Sequence, residues 1–194
     1  QYNSNVPGKN AKWVLLPDLG RADGSMGIHP VTAPSATPAT APRLEYTVFL
    51  SDTGKTRICL GILPTQDVNP ARGLRIAVSV DEQEPQIIDA RKGFVDTFNE
   101  YTPDNLARSK ALKPLPPRGE NYALVSRPHR RRNEIFDNLR WLDADFRIKS
   151  AGMHTIKVFM IDPEIVLEKI VVNPDDRYPS YFGAPSVQHN RKGK

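Results

Sequence analysis

No apolar run in this chain lasts more than a few residues before a proline, a glycine or an Asx-type turn residue interrupts it, and that punctuation excludes most folds. Eighteen prolines stand beside twelve glycines. Proline gives no N–H to a ladder or helix and pushes the residue before it out of the helical region, so long helices cannot persist here. Short apolar runs between turn residues describe an all-β chain. A membrane-crossing helix needs about 18 apolar residues in a row, and no such run exists, so no membrane span is expected. At 194 residues the chain suits one β-sandwich domain with a real core.

The clearest strand is His154 to Ile161. Ile156, Val158 and Met160 fall on one face and Thr155, Lys157, Phe159 and Ile161 on the other, as a period of two requires. Gly152 supplies the turn before it and Asp162-Pro163 the stop after it, with Asp162 expected to cap its own Asp-Pro turn. Ile165 to Val172 resumes the β-branched pattern, and the short connection predicts that these two strands pair as an antiparallel hairpin. Earlier in the chain Trp13 to Gly20 reads as a strand broken by Pro17. Leu44, Tyr46, Val48 and Leu50 alternate up to Asp52-Thr53-Gly54, read as a hairpin turn into Thr56 to Leu63. Leu74, Ile76, Val78 and Val80, then Gln86 to Ile88, continue the spacing. Ile135, Phe136 and Leu139 lie at helical spacing, which predicts one short helix over Asn133 to Trp141. Ala144 to Ser150, with Phe146 and Ile148 on one face, is the last strand before Gly152. Regularly spaced short strands imply a sandwich or jelly roll.

Two segments stand apart. Residues 30–42, rich in Pro, Thr and Ala, offer little apolar surface and read as an extended, solvated strap over the domain. Residues 91–132 hold ten Lys/Arg against four acids and carry +6, more than the whole chain's +5. The basicity is therefore local, and with no recognition helix or stacking motif beside it, nucleic-acid binding is not expected.

The combination Gly152-x-His154-Thr155, then Asp162-Pro163, Val166-Leu167, Ile170-Val171 and Ser180-Tyr181-x-Gly183-x-Pro185 resembles the C-terminal domain of family 115 glycoside hydrolases. These are the xylan α-glucuronidases, which remove glucuronic or 4-O-methylglucuronic acid from xylan. Trp13, Leu16, Leu19 and Gly20, then Arg43-Leu44-Glu45-Tyr46, Leu63-Pro64-Thr65 and Leu74 to Asp81 extend the resemblance through the chain. The resemblance implies a β-sandwich like that of carbohydrate-binding modules, here with one short helix and a long basic insertion at 91–132. It also implies an accessory, non-catalytic role: the catalytic barrel of such enzymes lies upstream, so the partners are the catalytic domains of the same polypeptide. Glucuronoxylan or another plant polysaccharide is a further partner, as is a second copy in a homodimer, and the implied location is secreted or periplasmic. QYNSNVPGKN lacks the basic and apolar regions of a signal peptide, so the chain reads as a cut from a longer protein. A free-standing carbohydrate-binding module and a purely structural docking domain are the alternatives. The resemblance makes Gly152, His154, Asp162, Pro163, Ser180, Gly183 and Pro185 structural positions, with His154 fixing the turn before its strand.

Chemistry beyond this is sparse. Glycoside hydrolysis needs two carboxyl groups facing one bond, one of them protonated. Asp143 with Asp145, Asp175 with Asp176, and Asp81 with Glu82 and Glu84 are acids of turns and strand edges, so no catalytic residue is assigned. The histidines His29, His129, His154 and His189 have no ligand spacing, and Asn173, Asp175 and Asp176 read as a plain turn rather than a calcium loop. No metal or cofactor is expected. Cys59 is single and reads as a small buried hydrophobe. Candidate ligand-binding residues are the aromatics Tyr178, Tyr181 and Phe182 of the tail, and Tyr101 and Tyr122 of the insertion, with its arginines Arg130, Arg131 and Arg132. Flat rings suit sugars and guanidinium suits carboxylates, while Phe94 and Phe98 supply further rings.

Overall fold

The computed structural model describes residues 2–21, 24–65, 69, 72–91 and 138–173. Ten strands occur among them: β1 (Ser4–Val6), β2 (Lys12–Pro17), β3 (Gly24–His29), β4 (Arg43–Leu50), β5 (Gly54–Ile62), β6 (Arg75–Val80), β7 (Gln86–Asp89), β8 (Arg140–Ile148), β9 (Gly152–Met160) and β10 (Leu167–Val172). They form two five-stranded sheets, β1-β4-β9-β6-β7 and β2-β3-β10-β5-β8, every pairing antiparallel. The all-β sandwich expected from the strand spacing is the observed fold.

The period of two decides what lies between the sheets. Leu44, Ile76, Val78, Val80, Ile156 and Val158 from the first sheet meet Ile58, Leu60, Ile62, Leu142, Phe146 and Ile148 from the second in one apolar cluster. Each fully buried side chain of this size is worth about 1.5–3 kcal/mol relative to leaving it in water. Trp13 closes one flank of that cluster, and its indole N–H donates to the Pro42 carbonyl at 3.1 Å. The partner matters because an unbonded buried N–H would cost about 1–3 kcal/mol.

Two expected hairpins do not form. β9 pairs with β4 and β6, whereas β10 pairs with β3 and β5 in the other sheet. The connection between them crosses the sandwich, burying Ile161, Asp162, Pro163 and Ile165 on the way. Likewise β4 and β5, on either side of Asp52-Thr53-Gly54, join different sheets. Each strand buries one apolar face whichever sheet it joins, and a turn motif carries no information on which layer follows. True hairpins occur at β2–β3 and β6–β7.

The short helix also needs correction where it can be seen. Asn138 adopts a left-handed φ of 49°, and from Arg140 the chain is strand β8, with Leu142, Ala144, Phe146 and Ile148 buried in strict alternation. A left-handed residue interrupts helical hydrogen bonding, and the alternating pattern then governs Arg140 and Trp141. The remainder of that expected helix, residues 133–137, lies outside the described residues, as does the expected basic insertion beyond Arg91.

The Pro-rich strap runs over the first sheet. Most of it is exposed, while Ala33, Ala41 and Pro42 are buried. Ala36 N–H donates to the Ile161 carbonyl at 2.8 Å, and the Pro42 carbonyl accepts from Met160 N–H at 3.1 Å. Small side chains let the strap approach closely, and Ala41 packs with Ala77, Phe159 and Ile161 in a second apolar cluster outside the main core.

Candidate functional site

Three places concentrate polar chemistry. The first is a hub at the strap end. Asp162, 1% exposed, accepts from Ser35 Oγ at 2.6 Å, Arg75 N–H at 2.8 Å, Arg75 Nε at 2.8 Å and Arg75 Nη2 at 3.1 Å. Its own N–H donates to the Arg75 carbonyl at 2.9 Å. Burial alone would raise the Asp162 carboxyl, but the bonds from Arg75 and Ser35 outweigh it and hold the pKa below the ordinary range. Asp162 thus joins the strap to β6 rather than capping its own turn. Gly73, at φ +105°, sits against Arg91, Arg75 and Asp162, where a side chain would press into the ion pairs.

The second is the opposite end of the sandwich. His154 Nδ1 lies 2.7 Å from Asp81 Oδ2 and Nε2 lies 2.9 Å from the Ser150 carbonyl. Both partners are acceptors, so the geometry favours a ring that carries hydrogen on both nitrogens. The Asp81 bond first, then the Ser150 bond, raise the His154 pKa. Burial works against the Asp81 charge, yet the bonds from His154 and from Thr155 N–H at 2.9 Å keep its pKa low. His154 thereby ties the start of β9 to Asp81 and to the Ser150 carbonyl. The turn before β9 needs Gly152, whose φ is +143°.

The third is the outer face of the second sheet, where side chains missed by the sequence reading gather. Across neighbouring strands, Lys169 faces Gly61 and Gly61 faces Trp141; Val171, Cys59 and Asp143 form the next row. Gly61 carries no side chain, and the six-membered ring of Trp141 reaches over it: a Cβ there would lie 3.1 Å from Cζ3 and 3.0 Å from Leu139 Cδ1. Trp141 remains 43% exposed. Further along, Asp145 pairs with Lys55 Nζ at 2.9 Å and Arg57 Nε at 3.1 Å. Arg57 N–H donates to Asn173 Oδ1 and Asn173 N–H to the Arg57 carbonyl, both at 2.8 Å. Lys55, Arg57, Asp145 and Asn173 line an open depression of about 280 Å³. The bonds from Lys55 and Arg57 lower the Asp145 pKa. Cys59 is buried within this face, and burial first, then its bond to Asp143, push the thiol up to about 12. A thiol so placed is a small hydrophobe and not a nucleophile.

Tyr101, Tyr122, Arg130, Arg131, Arg132, Tyr178, Tyr181 and Phe182 lie outside the described residues, as do Phe94, Phe98, Ser180, Gly183, Pro185, Asp175, Asp176, His129 and His189. His29 ends β3 at the surface and Pro163 is buried in the β9–β10 connection. Among the described residues no group of three or more His, Cys, Asp or Glu is placed to hold a metal, and no helix is long and apolar enough to cross a membrane.

A family model described as glycosyl hydrolase family 115 C-terminal domain matches residues 1–102 and 113–186. The chain belongs to that family. This C-terminal domain is similar in fold to BtGH115A, a 4-O-methyl-α-glucuronidase with specificity for decorated arabinogalactans, at a TM-score of 0.52 and 12% identity, covering 89% of this chain and 17% of that one. A family 35 carbohydrate binding module from Clostridium thermocellum aligns at a TM-score of 0.46 and 14% identity, covering 87% of this chain and 90% of that one. The C-terminal family 6 module of LamC, a laminarinase from Zobellia galactanivorans, aligns at 0.44 and 10%, covering 89% and 92%. No curated protein matches this chain. At such identities these likenesses are of fold.

Proposed function

We propose that this family 115 C-terminal domain, residues 1–194 acting as one β-sandwich with the insertion at 91–132, is a non-catalytic accessory module of a xylan α-glucuronidase-like glycoside hydrolase. In this reading it packs on the catalytic domains of the same polypeptide, outside the cytoplasm, helps hold glucuronoxylan or another plant polysaccharide, and contributes to a homodimer. The observation that carries the reading is the family match over residues 1–102 and 113–186 on a sandwich fold. The acids support it as well. A general acid for glycoside cleavage needs a raised pKa, whereas Asp81 and Asp145 are both held low by cationic partners. In BtGH115A the similar part is 17% of the chain, which supports a role beside other domains.

Calorimetric titration of the chain with glucuronoxylan oligosaccharides and with neutral xylo-oligosaccharides, at low and raised salt, tests the reading. Heat with the acidic ligand that salt weakens is the expected result, since exposed charge pairs are screened within about 10 Å at 0.1 M salt. No heat with either ligand would favour a docking role instead. Phe49 and Met153, neighbours on the outer face of the first sheet and 56% and 62% exposed, give that second reading its surface.

A further inference from the structure

We infer that the outer face of β10, β5 and β8 is a binding surface for a short acidic oligosaccharide, with Trp141 stacking on one sugar ring and the depression at Arg57 receiving a carboxylate. This rests on the accessory reading above and assigns it a place and a ligand class.

The face is built as a trough. Gly61 and Cys59 keep its floor low between the Trp141 ring at one end and the cationic depression at the other. Trp141 is an amphipathic ring seated over Gly61, and 43% of it remains exposed. Such a ring loses little freedom when a sugar's apolar face settles on it. Four residues along β8, about 13 Å away at strand rise, lies Asp145, and that spacing suits an oligosaccharide rather than a single sugar. There Arg57 spends only Nε on Asp145, so its two terminal nitrogens have no hydrogen-bond partner among the described residues. A guanidinium with one edge open is matched to a carboxylate by two parallel N–H bonds. Its strand position is fixed by the paired bonds with Asn173. Lys55 and, opposite it on β8, Arg147 add positive charge on the same face, so three cations stand against Asp145 and its neighbour Asp143. Asp145 is a positioning residue that orients both Lys55 and Arg57.

Tryptophan fluorescence reads this surface directly, because Trp13 is buried in the core and Trp141 is the exposed one. The chain is titrated with a xylo-oligosaccharide bearing one glucuronate branch and with its unbranched counterpart. Trp141→Ala is expected to weaken both by about tenfold and abolish the fluorescence change, with Trp141→Phe recovering most of the affinity. Arg57→Gln is expected to weaken only the branched ligand, down to the level of the unbranched one, and to remove the salt dependence. Melting temperatures close to that of the parent chain show that each variant is folded. Binding by the parent chain that neither Trp141→Ala nor Arg57→Gln alters overturns this surface while leaving the accessory reading intact. Absence of binding by the parent chain to either ligand overturns both the surface and the polysaccharide part of that reading.

Discussion

β8 and β9 are both nine residues long, yet they meet the outside differently. β8 alternates buried and open residues to its end, because it is the edge strand of its sheet and nothing described covers its outer face. β9 is the middle strand of the other sheet, and its last residues are buried on both sides: Val158 and Met160 face the core, while Phe159, 6% exposed, faces Ala41 of the strap. Among the described residues the strap covers only the Phe159 end of the first sheet's outer face, while on the outer face of the second sheet Trp141, Arg57 and Lys55 stay exposed. Burial of a ring on an outer face marks self-contact; exposure of a ring seated on glycine marks a surface available to something else.

That contrast sets the scale of what substitution should do. The largest loss is expected from Asp162→Ala, which frees a strap, a strand and Arg75 at once; removing one partner of a buried pair costs about 3–5 kcal/mol, and urea unfolding measures it. Because the Asp162 pKa is depressed in the folded state, its contribution is present above the unfolded carboxylate pKa and fades as pH falls through the lower folded one. A parent-chain stability curve with the same acid slope as Asp162→Ala would break the assignment. Phe159→Ala should cost about 3 kcal/mol, since the cavity opens between β9 and the strap, and it should also raise hydrogen exchange at the Ala36 amide, which bonds to Ile161.

Gly152→Ala comes next, at about 1 kcal/mol of backbone strain, since nothing lies within 4 Å of the added methyl. At the same turn, the raised His154 pKa means that its bonds stabilise fully below about pH 6.5, the unfolded value, and weaken as pH rises through the folded one. His154→Gln should flatten the parent's decline in melting temperature on the alkaline side. The smallest effect belongs to the open face: Arg57→Ala should leave the melting temperature unchanged, as exposed ion pairs contribute little. A clear drop there would show that the face is a structural contact and not a free surface.

The alternation of Ile156, Val158 and Met160 against Phe159 and Ile161 was legible because sheet periodicity is local. Which sheet the next strand enters was not, since Asp52-Thr53-Gly54 and Asp162-Pro163 reverse the chain equally well within a layer or across it. β3, GSMGIH, escaped notice because two glycines dilute its pattern; one of them is Gly27, above which Leu16 sits. Trp141 was read into a helix because Ile135, Phe136 and Leu139 share a helical period, while the left-handed turn at Asn138 cannot be seen from composition. The open face of β5 and β8 was invisible for a related reason: Gly61 and Trp141 become neighbours only through strand register, far apart in sequence.

The middle positions in the two sheets belong to β9 and β10, the final two strands described. During synthesis the first sheet exists only as two separate strand pairs, β1 with β4 and β6 with β7, until β9 arrives between them. The second sheet waits in the same way for β10 to join β3 to β5. Leu44 must hold an unpaired strand edge until Val158 leaves the ribosome, and such late, distant pairing makes folding slow and exposes edges to association. The segment richest in family sequence is therefore also the one that joins the four strand pairs, and a nascent chain halted before Gly152 would leave β3, β4, β5 and β6 each with an edge awaiting β9 or β10.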